Sequence, residues 1–270
     1  MHALGEGTHR DPAVPPPAGY QVPEEERLLE AYRRMVVGRR FDRQATALTK
    51  QGRLAVYPSS HGQEACQIAG VLALREDDWL FPTYRDSVAL VSRGLDPVEV
   101  LTLLRGGWHC GYHPAATRVA PLAYKGIGYG IRSEQVDGND LVAVLSVLTA
   151  AVEHARTGGG PFLVEAHTYR MDPQTNADDA TRYREKREVE QWEAADPLAR
   201  LETYLRERGV LDAAAVEAAH EAAEEFAARV REPMNADPEA NPFELFEHVF
   251  AEATPQLREQ RALLAAELED

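Results

Sequence analysis

From Glu24 to about Lys50 the apolar residues Leu28, Leu29, Tyr32, Met35 and Val36, then Phe41, Ala45 and Leu48, recur at helical spacing. A stripe of that period marks a helix with one face in a core, and it predicts one long helix here. A polar loop starting at Val56, VYPSSHGQEA, leads into a second helical pattern through Ile68, Val71 and Leu72, which stops at the charged run Arg75-Glu76-Asp77-Asp78. The run WLFPTYRD that follows reads as a buried strand end or a loop at a site, and Ser87 to Ser92 reads as helix. Asp96-Pro97 predicts another helix start, because aspartate accepts from the free amides of a first turn and proline has no amide to lose there.

Six glycines between 106 and 130 make that region rich in loop. Beyond it IRSEQVDG reads as a strand and turn, DLVAVLSVLTAAVEHAR as an amphipathic helix started by Asp140, and PFLVEAHTYR as a second strand. Strand, helix, strand in that order implies a parallel pair joined by a crossover, the α/β arrangement. After Asp172 the chain is polar until three helical stretches at about 189–207, 212–231 and 242–267, with PMNADPEANP expected as a linker between the last two. Residues 1–22, rich in Pro, Ala and Gly, hold too few large apolar groups to offset the entropy of ordering, so a flexible arm is expected there. The expected organisation is therefore an arm at 1–22, an α/β domain at 23–185 and a helical region at 186–270.

Composition narrows the classes of function. With 44% hydrophobic residues the 270-residue chain can bury a substantial core. The net charge of -15 repels nucleic-acid phosphates and anionic lipid, so neither nucleic acid nor membrane is expected as a partner. The N-terminal stretch lacks the pattern of a signal peptide and no run is long enough to span a bilayer, which points to the cytoplasm. Cys66 and Cys110 are too few for a disulfide framework and not spaced as a metal knuckle, and both read as reduced, partly buried side chains.

Four phrases, SSHGQEA at 59–65, FPTYRD at 81–86, VDGND at 136–140 and VEAHTYRMDPQTNADDATRYR at 164–184, stand in an order that resembles one family. It is the alpha subunits of the thiamine-diphosphate-dependent 2-oxo acid dehydrogenase component, of the pyruvate or branched-chain type. The likeness extends to LLRGGWHCGYHPAATRVAP and to the closing HVFAEATPQLREQRALLAAEL, and so spans about residues 25–270. It implies the thiamine-diphosphate-binding α/β fold, oxidative decarboxylation of a 2-oxo acid with acyl transfer to a lipoyl group, and thiamine diphosphate with Mg²⁺ as cofactors. It also implies two partners, a beta subunit and a lipoyl-bearing dihydrolipoyl acyltransferase. By resemblance Arg85 would hold the cofactor's diphosphate with its planar fork of donors, Tyr84 would line the same cleft, and His61 would reach it as a catalytic group. Arg170, Asp178, Tyr183 and Arg184 match the positions that form the internal network of a loop facing the lipoyl domain. Taken without the phrases around them, a Tyr-Arg pair is usually a surface contact, a His before Gly a turn residue, and the loop a solvated run of mixed charge.

Two departures stand against the family pattern. Between Pro121 and Tyr124 there is no counterpart of the long segment in which the family carries its Gly-Asp-Gly motif and a downstream Asn, the Mg²⁺ ligands, so no metal-binding residue is assigned in this chain. GIGYGI, close behind the gap, lacks phosphate-loop spacing and reads as a glycine-rich connection. The missing segment also takes strands out of the middle of a parallel sheet, leaving edges that a partner would have to cover. The second departure is Gln174, where the family loop has a histidine; an amide neither gains nor loses a proton near neutral pH. Both departures point to impaired catalysis, and the alternative is a partner-binding relative that has lost the cofactor site.

Overall fold

The structure is a computed structural model, which describes residues 19–102, 104, 126, 129–175, 178–236, 242–246, 250 and 252–269. The expected arm up to residue 18, most of the glycine-rich stretch with Cys110, and the junction between Pro121 and Tyr124 lie outside the described residues.

The long helix expected from the first apolar stripe is α1 (Glu25–Lys50), with Leu28, Tyr32, Met35, Phe41 and Leu48 fully buried. Then come α2 (Glu64–Ala73), α3 (Ser87–Ser92) and α4 (Pro97–Thr102). Asp96 starts α4 as expected, its Oδ1 accepting from the amides of Val98 at 2.7 Å and Glu99 at 3.3 Å. Residues 79–86 form a loop rather than a strand end, with Trp79 83% and Phe81 84% exposed.

The described strands are β1 (Arg132–Asp137) and β2 (Phe162–His167), joined through α5 (Leu141–Arg156) and paired in parallel from Arg132↔Phe162 to Asp137↔His167. Asp140 caps α5 by accepting from the Ala143 amide at 3.1 Å. The first two turns of α5 are buried on every side, as befits a helix lodged between the sheet and α2. Gly138 is the only residue type that fits the turn after β1, because a Cβ there would stand 2.4 Å from Thr168 Cγ2 and 2.9 Å from the His167 carbonyl.

The helical stretch expected at 189–207 is two helices, α6 (Lys186–Glu193) and α7 (Pro197–Glu207). The break is a second Asp-Pro start: Asp196 accepts from the Leu198 and Ala199 amides, and Pro197 opens the helix. Helix α8 (Ala213–Asn235) runs on through Pro233 into the expected linker, because fully buried Met234 holds its last turn in the core. Ala219, Ala223 and Ala227 lie along one side of α8, and Phe226 meets Phe41 of α1 edge-on at 6.2 Å. The compact unit formed by these elements runs to Asn235. A separate unit, Ala236–Asp270, holds a 3₁₀ turn (Pro242–Phe246) and α9 (Pro255–Glu269), where one helix was expected at 242–267; Arg261 lies over the Phe243 ring at 4.6 Å. No helix of the described residues is long and apolar enough to cross a membrane.

Candidate functional site

The turn at 58–63 is where the elements converge. Gly62 has φ +94°, and a Cβ on it would lie 2.2 Å from the Tyr169 carbonyl, so glycine lets the chain that follows β2 run hard against this turn. Fully buried Asn139 locks the approach from the other side. Its amide donates to the Gly62 carbonyl at 3.2 Å and its carbonyl accepts from the Tyr169 amide at 3.0 Å. The Met171 amide then donates to the His61 carbonyl at 3.0 Å, which seats the start of the 168–184 loop.

His61 stands between two carboxylates, with Nδ1 3.4 Å from Asp172 Oδ2 and Nε2 3.5 Å from Asp196 Oδ2. Burial works against its charge, but the bonds to Asp172 and Asp196 outweigh burial and raise its pKa to about 9. Both ring nitrogens face carboxylates, an arrangement that favours the charged imidazolium. Behind it buried Arg39 pairs through Nε with Glu64 and through Nη1 with Asp196 at 2.9 Å. Burial alone would lift the Asp196 carboxyl, but His61 and Arg39 hold it well below the usual carboxylate range.

Arg85 is 8% exposed. Its Nη1 donates to the Ser59 carbonyl at 2.8 Å, and both terminal nitrogens reach the Gln174 carbonyl at 3.3 Å. The Arg85 carbonyl in turn accepts from Ser60 Oγ at 2.9 Å and Gln67 Nε2 at 3.3 Å. Tyr84 is half-exposed with its ring 5.4 Å from the Arg85 guanidinium. Together with Gln63, Cys66, Gln67, Thr83, Asp86, Ala166 and Thr168, these two residues line a cleft of about 340 Å³. Burial pushes the Cys66 thiol up to about 12, so it is a packing group there and not a nucleophile.

The four loop residues singled out from the sequence come together. Arg184 donates to the carbonyls of Arg170 at 2.6 Å and Met171 at 2.7 Å, while Asp178 accepts from Tyr183 Oη at 2.5 Å and the Gln174 amide at 3.0 Å. Gln174 joins this network through its backbone, holding Arg85 with its carbonyl. The Arg170 guanidinium is held below its ordinary value by burial first and then by the charge of Arg85. Arg184 also lies over Tyr169, which stacks on Trp192 at 5.0 Å.

Arg39, Asp42, Ser59, Glu64, Asn139, Asp172 and Asp196 were not singled out from the sequence, and they supply most of the bonds under the site. Two signals were present. Arg39 and Asp42 fall on the buried stripe of α1 after Met35, at i+4 and i+7, where an apolar residue is the rule, and Asp196-Pro197 is a cap signal.

A diphosphate held by Mg²⁺ does not fit the described residues as they stand. Arg85 gives its terminal donors to two backbone carbonyls, and among the described residues no three His, Cys, Asp or Glu side chains converge as metal ligands.

The family model described as "Dehydrogenase E1 component" matches residues 32–114 and 111–242. Among curated proteins the chain is 32% identical over 323 positions to the 3-methyl-2-oxobutanoate dehydrogenase subunit alpha of Mycobacterium tuberculosis, covering 90% of this chain and 88% of the relative. It is 30% identical over 321 positions to the pyruvate dehydrogenase E1 component subunit alpha of Acholeplasma laidlawii, covering 87% and 92%. To the pyruvate dehydrogenase E1 component subunit alpha of Staphylococcus aureus it is 29% identical over 266 positions, covering 69% and 72%. The first two alignments are longer than the 270-residue chain, so an internal stretch of each relative has no counterpart here. The family match divides at 111–114, some residues before the junction read from the sequence.

Proposed function

The chain belongs to the dehydrogenase E1 component family, and on that premise we propose that it serves as the alpha subunit of a 2-oxo acid dehydrogenase component, acting on pyruvate or a branched-chain 2-oxo acid. The observation that carries this reading is the seating of the 168–184 loop on Arg85 and the 59–61 turn. Three family phrases far apart in sequence meet there around one cleft. Arg85 and Tyr84 supply its cationic and aromatic walls, and Arg170, Asp178, Tyr183 and Arg184 stiffen the loop that faces the lipoyl-bearing dihydrolipoyl acyltransferase. His61 contributes as a fixed positive charge beneath the loop. Thiamine diphosphate with Mg²⁺ is the cofactor of this reading, although among the described residues no three His, Cys, Asp or Glu side chains converge as metal ligands. The whole assembly works in the cytoplasm.

Calorimetric titration of the chain with thiamine diphosphate and Mg²⁺, alone and with a matching beta subunit, tests this. The expected result is no saturable binding by the chain alone and Mg²⁺-dependent binding by the pair, weakened by Arg85→Ala. A pair that associates yet never binds the cofactor would remove the catalytic reading.

A further inference from the structure

Asp42 lies in the middle of α1 and is 1% exposed. Its Oδ1 accepts from the Ser60 amide at 2.6 Å and from Tyr57 Oη at 2.9 Å, and its Oδ2 lies 2.8 Å from Ser59 Oγ. The same Ser59 Oγ lies 2.8 Å from Asp172 Oδ2 at the start of the loop and accepts from the His61 amide at 3.2 Å. A serine hydroxyl carries one hydrogen, so two ionised carboxylates cannot both accept it. Both contacts are hydrogen bonds at once only where one of the two acids brings a second proton.

The surroundings decide which. Asp172 faces the charged ring of His61, with Arg39 beyond it, and these hold its carboxyl below the usual range against the effect of burial. Asp42 is touched by neutral donors, with Tyr57 further bonded to Ser87 of α3, and the nearby charge from α2 is that of Glu64, which opposes its ionisation. The consistent pattern is a hydrogen-bond chain in which Asp42 Oδ2–H donates to Ser59 Oγ, and Ser59 Oγ–H donates to Asp172.

We propose that Asp42 is a positioning residue: its protonated carboxyl, acting through Ser59, orients the hydroxyl that docks Asp172 and so holds the 168–184 loop against Arg85. The proposed function enters only in taking that loop as part of the site; the hydrogen count stands without it. Burial, only partly offset by the bonds from Ser60 and Ser59, raises the Asp42 carboxyl to about 6. For an acid whose folded value is raised, the protonated state is the one folding favours. Docking is therefore strongest at low pH and weakens as pH rises through about 6, where Ser59 is left between two anions.

Hydrogen exchange of the full chain without cofactor, followed by mass spectrometry at pH 5 and pH 6.5 and corrected for intrinsic rates, tests this in the segment at 168–175. The Met171 amide, bonded to the His61 carbonyl, reports on docking. Protection of the wild type should fall roughly tenfold between the two pH values, a window that stops at the unfolded value of His61 near 6.5. Asp42→Asn should remain as protected at pH 6.5 as the wild type at pH 5, because its amide donates to Ser59 as the acid does while its carbonyl accepts from Ser60 and Tyr57. Ser59→Ala should lose protection at both pH values. An Asp42→Asn chain that keeps the wild-type pH dependence, loses protection throughout, or fails to fold by circular dichroism would overturn the proposal. Cofactor binding takes no part in the readout, so failure of the enzymatic reading and failure of this one are separate results.

Discussion

The polar floor beneath the turn at 58–63 and the exposed rim formed by the loop at 79–82 solve opposite problems. On the floor Arg39, Asp42, Glu64, His61 and Asp196 are charged or titratable groups taken largely out of water, each tolerated because a partner of opposite charge or a hydrogen-bond donor sits beside it. At the rim Trp79 and Phe81 are large apolar groups left in water, stacked on each other at 6.2 Å. The contrast teaches that polarity does not sort residues by depth here. The floor is polar because it must fix a turn, a helix start and a loop in register, and directional bonds do that where apolar packing does not.

The largest effect that would sharpen this contrast comes from breaking the floor. Arg39→Ala leaves Glu64, which is fully buried, without its ion partner and should cost about 3–5 kcal/mol in denaturant unfolding. A loss below about 1 kcal/mol would show that the pair is solvated and that floor and rim do not differ in kind.

The pH dependence comes next. His61 has its folded value raised to about 9, so its contribution is fully present below the unfolded value near 6.5 and is lost as pH rises through about 9. Urea unfolding across pH 6 to 10 should show a decline of about 2–3 kcal/mol that His61→Gln flattens. An unchanged slope in that variant would assign the decline to other groups.

Asn139→Ala should cost about 2 kcal/mol, since it strips partners from the Gly62 carbonyl and the Tyr169 amide at once. The smallest effect belongs to the rim, where Trp79→Ala should change unfolding by no more than about 0.5 kcal/mol. A larger loss would mean that the aromatic pair packs against the core and would erase the comparison.

Much of the fold was legible because its signals are local. The stripe on α1, the Asp-Pro start of α4, the cap at Asp140 and the parallel strand pair all follow from spacing and capping within short windows. Where the reading slipped, a competing contact explains it. The break at 194–196 follows from a cap signal that the apolar period obscured, and α8 outran the expected linker because burial of Met234 outweighs the helix-breaking tendency of Pro233. The site was legible only through its phrases. They contained His61, Arg85, Asn139 and the loop, but not Asp42 or Asp196, which fall outside every phrase and matter only by where they end up.

The sequence by itself determined the family, the helix and strand periods, and the absence of a counterpart to an internal stretch of the relatives, because each is written in residue order. Only the tertiary structure decided that His61 is set between two aspartates, that Arg85 directs its terminal donors to backbone carbonyls, and that Ser59 Oγ lies 2.8 Å from both Asp42 and Asp172. Charge state and hydrogen-bond partner depend on distance and burial, and those are set by chain segments more than a hundred residues apart meeting at one turn.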